Sequence, residues 1–293
     1  ADVIILLHVS ADRKNAVAMS FPRDLMVPWP ACPSTSGGSG YLPQSLGQIN
    51  ATIANGGPGC TLLTVESITG LTIPYLAMIN FKGVIEMSNA VGGVTVCVAN
   101  PIHDTYTHLD LEAGTHTLQG VQALQFLRTR HGVGDGSDLS RISNQQVFMS
   151  SLFRKIKSQG VLTNPIYLYS LANAAARNMT LSSNMTDLNV LVGLASSLRK
   201  VDPDNMTFLQ VPSAGGLPAP NQGRVALVQD KAQILFDKLK ADQPLVLAAS
   251  NPGAGASATT APTASATPSA SASSSALPDW VRGTKGSSST CSN

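Results

Sequence analysis

Residues 3–9 form a nearly continuous apolar run, and residues 16–21 form a second. Continuous apolar runs of this length predict strands buried inside a sheet. Residues 91–98 contain a Gly-Gly turn and then Val94, Val96 and Val98 at alternate positions, and residues 207–211 read as a late strand. Between these segments the apolar spacing changes to a helical rhythm. Leu62, Val65, Ile68 and Thr69 share one face within 61–69, and Val84, Ile85, Met87 and Ala90 do so within 81–91. A short helix is predicted over 120–127, with longer ones over 143–158, 165–176, 185–200 and 222–240. Strands interleaved with helices predict α/β layers rather than separate all-α and all-β lobes. No internal repeat interrupts the pattern.

The pattern stops near residue 248. From there to residue 276 the chain is almost all Ala, Ser, Thr, Pro and Gly, too poor in apolar surface to offset its own ordering entropy. Three parts are therefore expected: a folded unit over 1–247, a flexible linker over 248–276, and a short stub over 277–293.

Composition narrows the function classes. Among 293 residues, 43% are hydrophobic and only 12% charged, which supports a sizeable core and excludes a charge-rich disordered chain or a coiled coil. The net charge of +2, without a lysine-rich block, gives no basis for binding nucleic acid. The longest aliphatic run, Val3 to Leu7, is far short of the roughly 20 apolar residues of a membrane helix. The sequence opens at Ala1 without methionine or basic leader, which predicts an anchor or signal upstream of it.

Four cysteines stand at 32, 60, 97 and 291, with neither a Cys-x-x-Cys pair nor clustered histidines, so zinc-ligand spacing is absent. An even count beside a Ser/Thr/Ala tail fits an oxidising compartment. Cys32 and Cys60 lie in Gly/Pro-rich stretches read as loops suited to bridging, which leaves Cys97 with Cys291 by elimination; four buried free thiols are the alternative.

The densest polar stretch runs from Arg128-Thr129-Arg130 through the glycine-rich 132–136 to Asp138 and Arg141, with Gln145 beyond. If the chain leaves its helix extended, Arg128 and Arg130 project to one side. Arg141 and Gln145, four apart, share a helix face. Guanidinium groups match phosphate oxygens with paired donors, so this constellation suits a phosphate or pyrophosphate. The structural alternative is Arg–Asp pairing with Asp138 as a helix cap. A second feature, Ser20-Phe21-Pro22-Arg23-Asp24, places opposite charges at a strand end, where Arg23 can join the clamp or form only a surface pair. Asp2 by itself reads as a solvated acid. The glycine run lacks the spacings of nucleotide-binding loops, and no histidine joins a Ser or Cys in a nucleophile motif.

Taken together and in order, these residues resemble the LytR-CpsA-Psr family of bacterial cell-envelope enzymes, over roughly residues 2–212. The pieces are Asp2 with its apolar strand, Ser20 to Asp24, Ile49-Asn50-Ala51 with Gly56-Gly57-Pro58, Val91-Gly92-Gly93-Val94, and Arg128-x-Arg130 through Asp138-x-x-Arg141 with Gln145. The wording around Arg130-His131-Gly132 and the Ala/Ser tail look like the actinobacterial branch.

The resemblance implies a single extracytoplasmic α/β domain with a central mixed β-sheet flanked by helices. It also implies tethering to the membrane by an N-terminal helix at the wall of a Gram-positive bacterium. The implied enzyme is a magnesium-dependent phosphotransferase that moves a glycopolymer phosphate from a polyprenyl-pyrophosphate lipid to a peptidoglycan hydroxyl. In such chemistry, positioning and electrostatics supply most of the catalysis. By position, Asp2 would be a Mg2+ ligand. Arg23, Arg130 and Arg141 would contact the pyrophosphate, supported by Arg128 and Gln145, and Asp138 would take the proton of the attacking hydroxyl. The sequence departs from the family pattern in three respects: the first metal-binding Asp lies upstream of Asp2, Ala1 and Val3 replace the flanking Ser and Thr, and Asn144 stands where an Arg is frequent. The rival expectations are a polyprenyl-pyrophosphate pyrophosphatase without transfer and a non-catalytic polyprenyl-phosphate-binding envelope protein.

Overall fold

Strand β2 (Ala16–Phe21) is buried along its whole length. It pairs antiparallel with β1 (Ile4–Val9) and parallel with β11 (Met206–Gln210), and β11 pairs antiparallel with β15 (Gly283–Lys285) to complete a mixed sheet. This computed structural model describes residues 1–35, 37–158, 160, 162–253, 255–258 and 277–293. Successive β2 side chains leave the sheet on opposite faces. Val17, Met19 and Phe21 pack with Ala232, Leu235, Phe236 and Leu239 of helix α7 (Gln229–Lys240). Ala16 and Ala18 pack with Phe208 and with Phe153 of helix α4 (Asp138–Ser158). A helix thus covers each face, which is why 16–21 carries no apolar/polar alternation.

The expectation of a strand at 3–9 buried on both faces needs correction. β1 is an edge strand, and Val3, Ile5 and Leu7 are 45%, 38% and 51% exposed on its outer face. Only Ile4 and Leu6 reach the core.

The chain crosses from β2 directly into a second sheet ordered β12 (Ser213–Ala214), β13 (Val225–Leu227), β3 (Leu25–Trp29) and β4 (Gln44–Gln48). Residues 22–24 are the short crossing, turned by a hydrogen bond from the Leu25 amide to the Pro22 carbonyl. A third sheet is ordered β14 (Ala256–Ala258), β16 (Thr290–Ser292), β6 (Val94–Val98) and β9 (Gly114–Leu118). Two small pairs remain: the hairpin of β7 (Ile102–Asp104) and β8 (Leu109–Leu111), and β10 (Met179–Leu181) with β5 (Ala77–Ile79). The expected α/β class is present, with its mixed pairing distributed over several sheets.

The remaining helices are α1 (Thr52–Thr69), α2 (Phe81–Ala90), α3 (Val121–Arg128), α5 (Pro165–Asn178) and α6 (Leu188–Ser197). Two departures from the predicted spans have clear causes. Helix α1 begins well before 61, but bends at Gly56 and Gly57 with Pro58 inside it, so its first turn shows no apolar period. The bend seats the Cys32–Cys60 disulfide: a Cβ at Gly56 would lie 2.8 Å from that of Cys32. Cys60 therefore sits in a helix and not in a loop. In 222–240 the first part is β13, and the helix starts only at Gln229.

The C-terminal segment is part of the fold. β14 pairs with β16, β16 runs parallel to β6, and Cys97 is bonded to Cys291. Leu277 and Val281 share a cluster with Leu245 and Leu247. The fold therefore does not close at residue 247, and residues 256–258 of the expected linker form a strand. Positions 254 and 259–276 of that expectation lie outside the described residues. No helix among the described residues is long and apolar enough to cross a membrane.

Candidate phosphate site

Strand register brings the first two site residues together. Ile4 faces Phe21 in the antiparallel β1–β2 pair, so the same register carried outward sets Asp2 opposite Arg23. The Arg23 Nη1 lies 2.8 Å from Asp2 Oδ1. Asp24, next in the crossing, approaches Arg23 Nε at 3.5 Å and accepts a hydrogen bond from Gln48 Nε2. The Asn50 amide donates to the Arg23 carbonyl, which ties the Ile49-Asn50-Ala51 segment to the same loop.

Helix α4 delivers the next two. Its N-terminus is capped by Ser137, whose Oγ accepts from the Ser140 amide at 3.2 Å, while Asp135 Oδ1 accepts from the Ser137 amide at 3.0 Å. Asp138 is therefore not the cap, and its carboxylate turns inward. Asp138 Oδ1 stands 2.5 Å from Arg141 Nη2, one turn along, and 3.7 Å from Arg23 Nε, while Oδ2 accepts from the Arg23 amide at 3.3 Å. Arg141 Nη2 also donates to the Asp2 carbonyl at 2.7 Å. Asp2, Arg23, Asp138 and Arg141 thus interlock, with Asp138 and Arg141 only 9% and 4% exposed.

Burial pushes the Asp138 carboxyl upward despite the pull of Arg141 and Arg23. For Arg23, burial acts to lower its pKa, but Asp2, Asp24 and Asp138 together raise it above the ordinary value. The Nε groups of Arg23, Arg130 and Arg141 are all buried without a hydrogen-bond partner. Such groups are costly unless something accepts from them. Phosphate oxygens are well matched acceptors.

Arg130 lies close enough to Arg141 for their charges to act on each other. Its backbone is held by Asp104, a residue no motif singled out. Asp104 Oδ2 accepts from Thr129 Oγ1 at 2.6 Å and from the amides of Arg130 and His131, while Oδ1 accepts from those of Tyr106 and Thr107. Burial alone would raise this pKa, but the Thr129 hydroxyl and the Arg130, Tyr106 and Thr107 amides outweigh it and bring it to about 2. A carboxylate with a depressed folded pKa stabilises above its unfolded value near 3.8 and loses that contribution as pH falls through about 2. Chemical denaturation between pH 4 and 2, a range in which Asp135 contributes as well, should therefore show an acid loss smaller by about 2 kcal/mol in Asp104→Asn than in the native protein; an equal acid loss in that variant contradicts the assignment.

Two expected residues are placed differently. Arg128 ends α3 exposed, with its guanidinium 4.4 Å from the centroid of the Phe81 ring. That cation–π contact, and not a shared clamp with Arg130, is what the structure gives it. Gln145 is buried and donates from Nε2 to the Leu127 carbonyl at 2.9 Å, while Asn144 Nδ2 donates to the Phe126 carbonyl at 2.7 Å. These two amides satisfy carbonyls of the last turn of α3 and fix the exit toward Arg130. Among the described residues, no group of three or more His, Cys, Asp or Glu side chains is placed to hold a metal ion.

The chain is similar to known proteins. The cell wall biosynthesis protein LcpA of Corynebacterium glutamicum is 29% identical over 227 residues, 72% of this chain and 42% of the relative. The polyisoprenyl-teichoic acid–peptidoglycan teichoic acid transferase TagT of Bacillus subtilis is 28% identical over 73% of this chain and 63% of its own length. The chain thus spans about two fifths to three fifths of these relatives. The solved LytR-Csp2A-Psr enzyme from Actinomyces oris superposes with a TM-score of 0.61 at 26% identity, covering 82% of this chain and 85% of that one. The LytR_cpsA_psr family model matches residues 1–241, and the chain belongs to the LytR-CpsA-Psr family.

Proposed function

We propose that this protein transfers a glycopolymer phosphate from a polyprenyl-pyrophosphate carrier to a hydroxyl of peptidoglycan. The observation that carries this reading is the convergence of Arg23 and Arg141 on the carboxylate of Asp138, with Arg130 near enough to Arg141 for their charges to interact, each arginine having a buried Nε without a hydrogen-bond partner among the described residues. TagT, named for the same class of transfer, supports it.

In the proposed reaction the acceptor hydroxyl attacks the phosphorus attached to the glycan. The P–O bond to polyprenyl phosphate breaks, the lipid phosphate leaves, and the hydroxyl proton passes to Asp138. Burial, by pushing the Asp138 carboxyl upward, improves it as a proton acceptor. Arg23, Arg130 and Arg141 hold phosphate oxygens and stabilise charge that builds in the transition state. Arg128 and Gln145 act at one remove, through Phe81 and the end of α3.

Magnesium is the cofactor proposed with this reading. Bound to pyrophosphate it neutralises phosphate charge, and a site built mostly from substrate oxygens and water needs only one or two protein carboxylates. Asp2 fits that requirement: its side chain is 49% exposed and borders Arg23. An upstream membrane helix and an extracytoplasmic location complete the proposal.

The test is incubation of the protein with polyprenyl-pyrophosphate-linked glycan, magnesium and peptidoglycan. Phosphodiester-linked glycan on the wall polymer is expected. Free glycan phosphate alone would replace transfer by pyrophosphatase activity, and lipid binding without turnover would make the protein a carrier.

A further inference from the structure

Beyond the residues that face the phosphate, β7 and the segment 129–132 form one unit. Asp104 ends β7 and is only 2% exposed. Its five hydrogen bonds, from Thr129 Oγ1 and the amides of Arg130, His131, Tyr106 and Thr107, leave the carboxylate neutralised by dipoles alone, with no ion pair among the described residues. Gly132 packs onto the same strand: a Cβ there would lie 2.7 Å from Ile102 Cγ2 and 3.3 Å from the His103 amide nitrogen. The glycine is needed for this close approach. β7 is therefore the template on which the Arg130 backbone lies.

Arg130 needs such a template. Its Nε is buried without a hydrogen-bond partner and the like charge of Arg141 acts on it, so among the described residues no hydrogen bond or ion pair of its side chain holds it in place. We propose that Asp104 is a positioning residue for the phosphate site, fixing the backbone from which Arg130 reaches the pyrophosphate. The role requires aspartate and not asparagine. Both carboxylate oxygens accept, whereas an amide would turn its NH2 toward one of the two sets of N–H donors. This inference rests on the proposed reading of the site as a pyrophosphate clamp.

The test is a double-mutant cycle on binding of inorganic pyrophosphate, measured by calorimetry with magnesium present. Arg130→Ala is expected to weaken binding about tenfold or more, and Asp104→Asn by about tenfold, because displacing a clamp by about 1 Å loses most of its effect. The double variant should bind no more weakly than Arg130→Ala, since Asp104 acts only through Arg130. Thr129→Val, which removes one donor to Asp104 and keeps the side-chain shape, should weaken binding severalfold in the native background and not at all beside Arg130→Ala. It carries the cycle should Asp104→Asn not fold. Leu191→Ala, in the separate cluster formed between α5 and α6, provides a destabilised control whose pyrophosphate affinity should be unchanged.

Additive losses in the cycle, or unchanged binding in Asp104→Asn and Thr129→Val, would overturn the proposal. Unchanged binding in Arg130→Ala would instead remove Arg130 from the clamp, overturning the site reading and this inference together.

Discussion

Arg141→Ala should abolish the proposed transfer and also destabilise the protein, by about 3–5 kcal/mol, because it leaves Asp138 buried without its nearest counter-charge. The catalytic loss should be at least 10²–10³-fold, the usual effect of removing one preorganised donor from a developing anion. A larger loss is reasonable here, since Arg141 also binds the Asp2 carbonyl and so holds the start of β1 against α4. Arg141→Lys separates the two effects. A lysine keeps the positive charge beside Asp138 but is a single point of contact, unable to span Asp138 and a substrate oxygen as a guanidinium fork can. Most of the stability should return and most of the activity should not. Denaturant titration and the transfer assay read these independently; a lysine variant with full activity would show that Arg141 acts only by its charge.

Loss of the Cys97–Cys291 disulfide should be the largest single stability defect of any change outside the core. The residues it joins are 194 apart in sequence, and the chain-entropy relation gives roughly 5 kcal/mol for a loop of that size, against roughly 3–4 kcal/mol for the 28-residue separation of Cys32–Cys60. Cys291→Ser should therefore lower the denaturant midpoint well beyond Cys60→Ser. The effect should also reach the site. The Asn293 carbonyl accepts from the Gly134 amide at 2.7 Å, and Ser292 Oγ donates to Asn144 Oδ1 at 2.5 Å. Gly255 lies so near the Ser140 carbonyl that a Cβ would be only 2.0 Å from it. The last residues thus brace both the glycine loop and the helix that bears Arg141. Hydrogen exchange should show Gly134 losing protection in Cys291→Ser; unchanged protection there would confine the disulfide to a purely global role.

Position 144 shows how the tertiary fold gives a residue its meaning. The sequence departs from the family pattern by carrying Asn144 where an arginine is frequent, which by itself implies weaker phosphate binding at that point or a donor supplied from elsewhere. The structure places Asn144 at 0% exposure, joined to the Phe126 carbonyl on one side and Ser292 on the other. It is a clasp between the end of α3 and the C-terminal strand. Nothing local signals this, because both partners are distant in sequence.

Much of the site was nevertheless legible. Arg23, Arg130, Asp138 and Arg141 stood out as charges beside proline and glycine at the ends of apolar segments, since a charge can be placed at a sheet edge or helix start only where the backbone turns. Apart from the bent start of α1, the helices followed from their apolar period and the buried β2 from its unbroken apolar run, because one-sided or two-sided burial imprints itself on neighbouring residues. Other features left no such imprint. β1 reads the same whether central or at an edge, and only the sheet order exposes Ile5 and Leu7. Asp104 is one acid in a polar hairpin until folding brings Thr129 and Arg130 onto it. Residues 256–258, within a stretch too poor in apolar residues to order itself, become strand β14 only because β16 offers a pairing edge, and β16 is held in turn by β6 and the Cys97–Cys291 bond. The sequence by itself determined the family resemblance and which charged residues stand at turns, since residue types and local turns encode charge and shape. Which charges meet, and what holds them, was decided by the tertiary structure, because long-range pairing depends on sheet register and helix packing that no short segment contains.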